Sequence, residues 1–100
     1  MATERNRVGD AFATALRRLR MSQRITQEAL AEVADFKASY ISMLESAQRQ
    51  PTITAIIALE QALGVGPGEL VRRTVAAMKM RRIALPLQPR KRIRLKGATK

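Results

Sequence analysis

Residues 34–45 read ADFKASYISMLE, an apolar pattern that stops at Asp35-Phe36 and restarts at once on a new face. Before the break, Leu30, Val33 and Ala34 fall at helical spacing; after it, Ala38, Ile41 and Leu44 do the same. Two short amphipathic helices joined by a tight turn are expected. Thr26 is a good N-cap for the first of them. Glu28 adds negative charge where the helix dipole favours it, and Leu30, Ala31 and Val33 carry an apolar face to Ala34. The second is expected over residues 37–46. Ile41 and Leu44 should point inward, with Ala38, Ser39, Ser42 and Met43 on the opposite, nearly uncharged side.

Upstream, Val8, Phe12, Leu16 and Leu19 recur at spacings of four, four and three, with Arg17, Arg18 and Arg20 between them. This spacing predicts a helix over residues 10–20 capped by Asp10. Downstream, Gln50-Pro51-Thr52 resets the chain, because Pro51 disfavours helix at Gln50 while Thr52 can cap. Ile53, Ile56, Leu59 and Leu63 then mark a fourth helix that Gly64 stops. A fifth is expected from Pro67 or Gly68 through Leu70, Val71, Val75 and Met78 to about Arg82. The fold class is therefore all-α, with five helices in one domain over residues 8–82 and a basic C-terminal tail over residues 83–100. That tail reads first as a disordered basic segment. The alternation of Ile83, Leu85 and Leu87, then Ile93 and Leu95, leaves a short strand or strand pair open.

One hundred residues, 46% of them hydrophobic, suit one small core. With no cysteine and no histidine, disulfides, cysteine-ligated zinc and both serine–histidine and cysteine–histidine catalysis are excluded. The remaining carboxylates are scattered and no nucleophile has a base beside it, so neither an enzyme nor a cofactor is expected. The N-terminus has no apolar stretch of signal type, and runs such as Ala55 to Leu59 are too short to cross a bilayer. A cytoplasmic protein is expected. The net charge of +11 is unevenly spread: residues 1–71 hold eight basic and eight acidic side chains, whereas residues 72–100 hold eleven basic and no acidic ones. A neutral body with a strongly basic end suits a polyanionic partner.

Residues 12–70 resemble the Cro and repressor type (XRE-like) helix-turn-helix family of bacterial and phage regulators. The matching segments are LRRLR at 16–20, TQEALAEVA at 26–34, SYISMLE at 39–45, PTI at 51–53 and ALGV at 62–65, followed by Leu70. The resemblance implies that the second helix crosses the DNA backbone while the third enters the major groove, where each base pair shows a distinct pattern. Lys37, Ala38, Ser39, Ser42 and Met43 then become base-facing positions, with Tyr40 near the groove edge. Gln27 resembles a glutamine that touches a phosphate and steadies the third helix. Ser46, Gln48 and above all Arg49 occupy positions suited to backbone phosphates, which fix register without reading sequence. Arg20 and Glu45 match an ion pair that ties the first helix to the end of the third.

Three positions depart from the family pattern. Asp35 and Ala47 stand where relatives usually carry glycine; Asp tolerates a left-handed conformation well, whereas alanine with positive φ costs roughly 1 kcal/mol. Ala38 stands where many relatives have Arg or Gln, so direct readout rests on hydroxyls, thymine methyl contacts and Lys37, with DNA shape supplying much of the specificity. The expected partner is double-stranded DNA bound by a homodimer, with Arg90, Lys91, Arg92, Arg94 and Lys96 as phosphate ligands in the tail. Val71, Val75 and Met78 can be read either as a dimer surface or as the completion of the core. An alternative from a different class is a protein-interaction module, an antitoxin or coactivator whose tail binds a protein, because an electrostatic arm does not need alternating Ile and Leu. A membrane-surface role for the tail is a weaker third reading.

Overall fold

The computed structural model describes residues 4–80, so the tail at 83–100 and its assigned phosphate ligands lie outside the described residues. Within them are five helices: α1 (Glu4–Ser22), α2 (Gln27–Ala34), α3 (Ala38–Glu45), α4 (Ile53–Leu63) and α5 (Glu69–Met80). Every helix contributes at least one side chain with no exposed surface: Leu16 from α1, Leu30 from α2, Ile41 and Leu44 from α3, Leu59 from α4 and Leu70 from α5. Burying each is worth about 1.5–3 kcal/mol, so this cluster sets how the helices sit. α1 packs along α5 and against α3, while α2 contacts both α3 and α4.

The cap assignments hold for α2 and α4. The Thr26 hydroxyl accepts from the Ala29 N–H at 3.0 Å, and that of Thr52 accepts from the Ala55 N–H, also at 3.0 Å. Asp35 adopts the left-handed conformation (φ 64°, ψ 45°) and ends α2, after which the Phe36 N–H donates to the Ala31 carbonyl at 2.8 Å. The turn survives without glycine because a short polar side chain tolerates that conformation. Gly64 ends α4 in the same way, at φ 70°.

Other expectations need correction. The first helix begins at Glu4, and Asp10 is an exposed interior residue that caps nothing. Residues 4–9 contain no proline, and one Gly9 costs too little to start the helix later. Val33 and Ile53, read as inward-facing, are 68% and 71% exposed; Ala31 and Ala34 cover the core on α2, and Ala55 does so on α4. The third helix is shorter by one residue at each end, with Lys37 as an N-cap that makes no side-chain hydrogen bond. The fifth spans Glu69–Met80 and starts later than proline and glycine spacing suggested. Its start is set by Glu60, buried on α4, whose carboxylate accepts from the Gly68 N–H at 3.0 Å and the Leu70 N–H at 2.9 Å. A carboxylate there satisfies donors that a helix N-terminus leaves unpaired and complements the dipole.

Candidate nucleic-acid interface

The third helix has two unlike sides. Ile41 and Leu44 are fully buried, while Lys37, Ser39 and Ser42 are exposed and Met43 is half-buried. Ala38 and Tyr40 also pack partly against the core, so they sit at the edge of the exposed side, not at its centre. Three residues, Asp35, Phe36 and Lys37, separate the end of α2 from the start of α3, the short link of a helix-turn-helix.

What fixes α3 against α1 is the pair expected from the sequence. Arg20 meets Glu45 through two bonds, Nε to Oε2 at 2.7 Å and Nη2 to Oε1 at 2.9 Å, with side-chain exposures of only 11% and 4%. Such a two-pronged geometry is strong and directional. The third prong, Nη1, donates to the Ile25 carbonyl at 2.7 Å, so the same guanidinium also fixes the approach to α2. The hydrogen-bonded carboxylate of Glu45 raises the Arg20 guanidinium above its ordinary range, against the opposing effect of burial. Arg20 therefore stays charged wherever the fold exists.

Gln27, at the first turn of α2, joins this network: its Nε2 donates to Glu45 Oε1 at 3.0 Å. Glu45 is thus a hub that connects α1, α2 and α3, and the steadying of α3 by Gln27 takes a concrete form. Sequence reasoning found Arg20, Glu45 and Gln27 but not the bond between Gln27 and Glu45, nor the Ile25 contact.

After α3 the chain turns through Ala47, which keeps a positive φ of 62°, the conformation that glycine favours, despite the cost to alanine. Ser46 Oγ donates to the Ser42 carbonyl at 2.9 Å, and Gln48 Nε2 donates to Ser46 Oγ at 2.9 Å. Gln48 and Arg49 are exposed beside α3. The Arg49 guanidinium lies 5.7 Å from the centre of the Tyr40 ring, a contact that no sequence spacing announced. On α5, Val71 and Val75 are 46% and 44% exposed, so Leu70, Thr74 and Ala77 complete the core in their place; Met78 is half-buried. Glu69 accepts from Arg73 Nε at 2.8 Å and Arg72 Nη2 at 3.2 Å, and these bonds lower its pKa, Arg73 most strongly. Among the described residues there is no cluster of acidic side chains able to hold a metal, and no helix is long and apolar enough to cross a membrane.

Comparison with known proteins agrees with this geometry. The helix-turn-helix family profile matches residues 16–70. The uncharacterized HTH-type transcriptional regulator y4dJ of Sinorhizobium fredii is 41% identical over 70 residues, covering 70% of this chain and 86% of that protein. The restriction-modification controller protein C.AhdI from Aeromonas hydrophila is 31% identical with a TM-score of 0.65, covering 68% of this chain and 99% of that one. The clp gene regulator ClgR from Corynebacterium glutamicum shares the fold at a TM-score of 0.69 and 23% identity, over 73% of this chain and 78% of that one. The chain belongs to the Cro and repressor type helix-turn-helix family of DNA-binding transcriptional regulators.

Proposed function

We propose that the protein is a sequence-specific DNA-binding regulator that inserts the exposed side of α3 into the major groove. The observation that carries this reading is the division of α3: Ile41 and Leu44 are sealed in the core while Lys37, Ser39 and Ser42 face outward on a helix locked by Glu45. Ser39 and Ser42 offer hydroxyls to base edges, Met43 and Ala38 offer apolar contact to thymine methyls, and Lys37 adds charge at the helix entrance. Gln27 and Arg49 meet phosphates on either side and set the register. Tyr40 belongs to the same edge. None of these residues reads guanine with a two-pronged arginine, so DNA shape contributes a large share of the specificity.

Residues 1–71 are neutral, and more than half of the net charge of +11 lies in residues 83–100, which hold six basic and no acidic side chains. The tail residues Arg90, Lys91, Arg92, Arg94 and Lys96 serve as phosphate ligands, and a homodimer doubles the contacts. The exposed Val71 and Val75 on α5 suit the dimer surface, since the core does not use them. Selecting bound sequences from a random duplex pool tests the reading: the protein should enrich a short motif with two-fold symmetry, and recovery of no motif would refute it. The alternating Ile and Leu of the tail favour a second reading, in which the tail holds a protein partner. Co-purification of a second small protein, lost on deletion of residues 83–100, is its test.

A further inference from the structure

We infer that Tyr40 is a positioning residue whose ring holds the Arg49 guanidinium where Arg49 can receive a DNA phosphate; this rests on the phosphate role proposed for Arg49. Arg49 is exposed, in a loop, and carries a long side chain that would otherwise sample many rotamers. Two independent features restrain it. The first is the backbone: the left-handed Ala47 folds the chain back, so that the Gln48 and Arg49 N–H groups both donate to the Met43 carbonyl, at 2.8 and 3.3 Å. The second is the ring of Tyr40, whose centre lies 5.7 Å from the guanidinium carbon, within the range of a cation–π contact.

The ring is itself fixed. It packs on Phe36 with centres 5.0 Å apart and planes tilted by 59°, and both aromatics are half-buried against the core. Phe36 belongs to the turn between α2 and α3, so the platform under Arg49 is built from the turn that orients α3. Among the described residues no carboxylate or carbonyl accepts from the Arg49 guanidinium. One face rests on the ring while the N–H donors at its edge remain open to an anion. A side chain held in its bound position loses less freedom on binding, which strengthens affinity without adding a contact. The gain is independent of sequence, because a phosphate contact carries no base information.

The experiment compares wild type, Tyr40→Phe, Tyr40→Leu, Arg49→Ala and the Tyr40→Leu/Arg49→Ala double variant. Affinity is measured on the selected duplex and on a random duplex over a range of salt concentrations, after denaturation curves show each variant folded at the assay temperature. Tyr40→Phe keeps the ring and should stay within about two-fold of wild type, whereas Tyr40→Leu should weaken both duplexes about two- to five-fold. Arg49→Ala should lower the salt slope by about 0.9, and Tyr40→Leu should have no further effect in that background. Without DNA, the Arg49 side-chain N–H resonance should show a ring-current shift that Tyr40→Leu abolishes and Tyr40→Phe preserves. Independent effects of Tyr40→Leu and Arg49→Ala, or equal harm from Phe and Leu, would overturn the role of Tyr40 and leave the DNA reading standing. A wild type that binds no duplex would overturn both.

Discussion

Removing the carboxylate of Glu45 should be one of the most damaging single changes available to this fold. In Glu45→Ala, Arg20 remains charged with its side chain 11% exposed and two of its three hydrogen bonds gone, while Gln27 Nε2 loses its acceptor as well. Breaking a buried pair from one side costs about 3–5 kcal/mol, against a total stability of about 5–15 kcal/mol for a typical domain. With a urea dependence of about 2 kcal/mol per molar, a loss of that size moves the unfolding midpoint down by about 2 M. Arg20→Ala should cost a comparable amount, because it leaves the Glu45 carboxylate, its side chain 4% exposed, with the Gln27 amide in place of an ionic partner, and takes the guanidinium donor from the Ile25 carbonyl. The double variant leaves neither charge stranded and should cost less than the two singles together, by about 1–3 kcal/mol. Because the guanidinium's pKa is raised in the folded state, its contribution is complete below the unfolded value and falls only as pH climbs through the folded one. The effect should accordingly be the same at neutral and mildly alkaline pH. Urea denaturation of the four-member cycle is the assay. Additive single effects below about 0.5 kcal/mol would mean that the pair does not tie α1 to α3 and would reduce it to exposed neighbours.

Thr26→Ala and Thr52→Ala should each cost about 1 kcal/mol in thermal denaturation, since each removes the acceptor for a first-turn N–H. The lowered pKa of Glu69 implies stability present above the usual carboxylate range and lost as pH falls through the folded value. Amide exchange in the first turn of α5, corrected for intrinsic rate, should therefore speed up on acidification, and Glu69→Gln should remove that dependence. Deleting residues 83–100 removes six positive charges, taking the net charge from +11 to +5. If two to four of them lie on phosphates, the slope of log affinity against log salt should flatten by about 0.9 for each. Selected and random duplexes should weaken together; an unchanged slope with loss of dimer or of a protein partner would contradict the electrostatic role.

The parts legible in the sequence were those governed by local rules. Thr26 and Thr52 announce helix starts because capping needs only the next turn, and Ile41 with Leu44 announce the inner side of α3 by spacing alone. Arg20 and Glu45 were legible through family resemblance, because 25 residues separate them and no local pattern links them. Val33 and Ile53 misled because each sits at helical spacing beside true core residues, while the packing leaves those two positions uncovered. Glu60 was invisible for the opposite reason: a lone glutamate on an apolar helix reads as a solvated charge, and only the return of the chain to Gly68 and Leu70 makes it a cap. Arg49 was assigned to phosphate, but its platform on Tyr40 depends on a left-handed alanine whose effect on direction spacing does not encode.

Whether the exposed side of α3 meets DNA is tested residue by residue by amide chemical-shift mapping on titration with the selected duplex. The largest shifts are expected at Lys37, Ala38, Ser39, Ser42 and Met43, with Gln27 and Arg49 also moving, and with Val71 and Val75 changing little once the protein is dimeric. Shifts concentrated on α5, with the amides of α3 unmoved at saturating duplex, would contradict that contact.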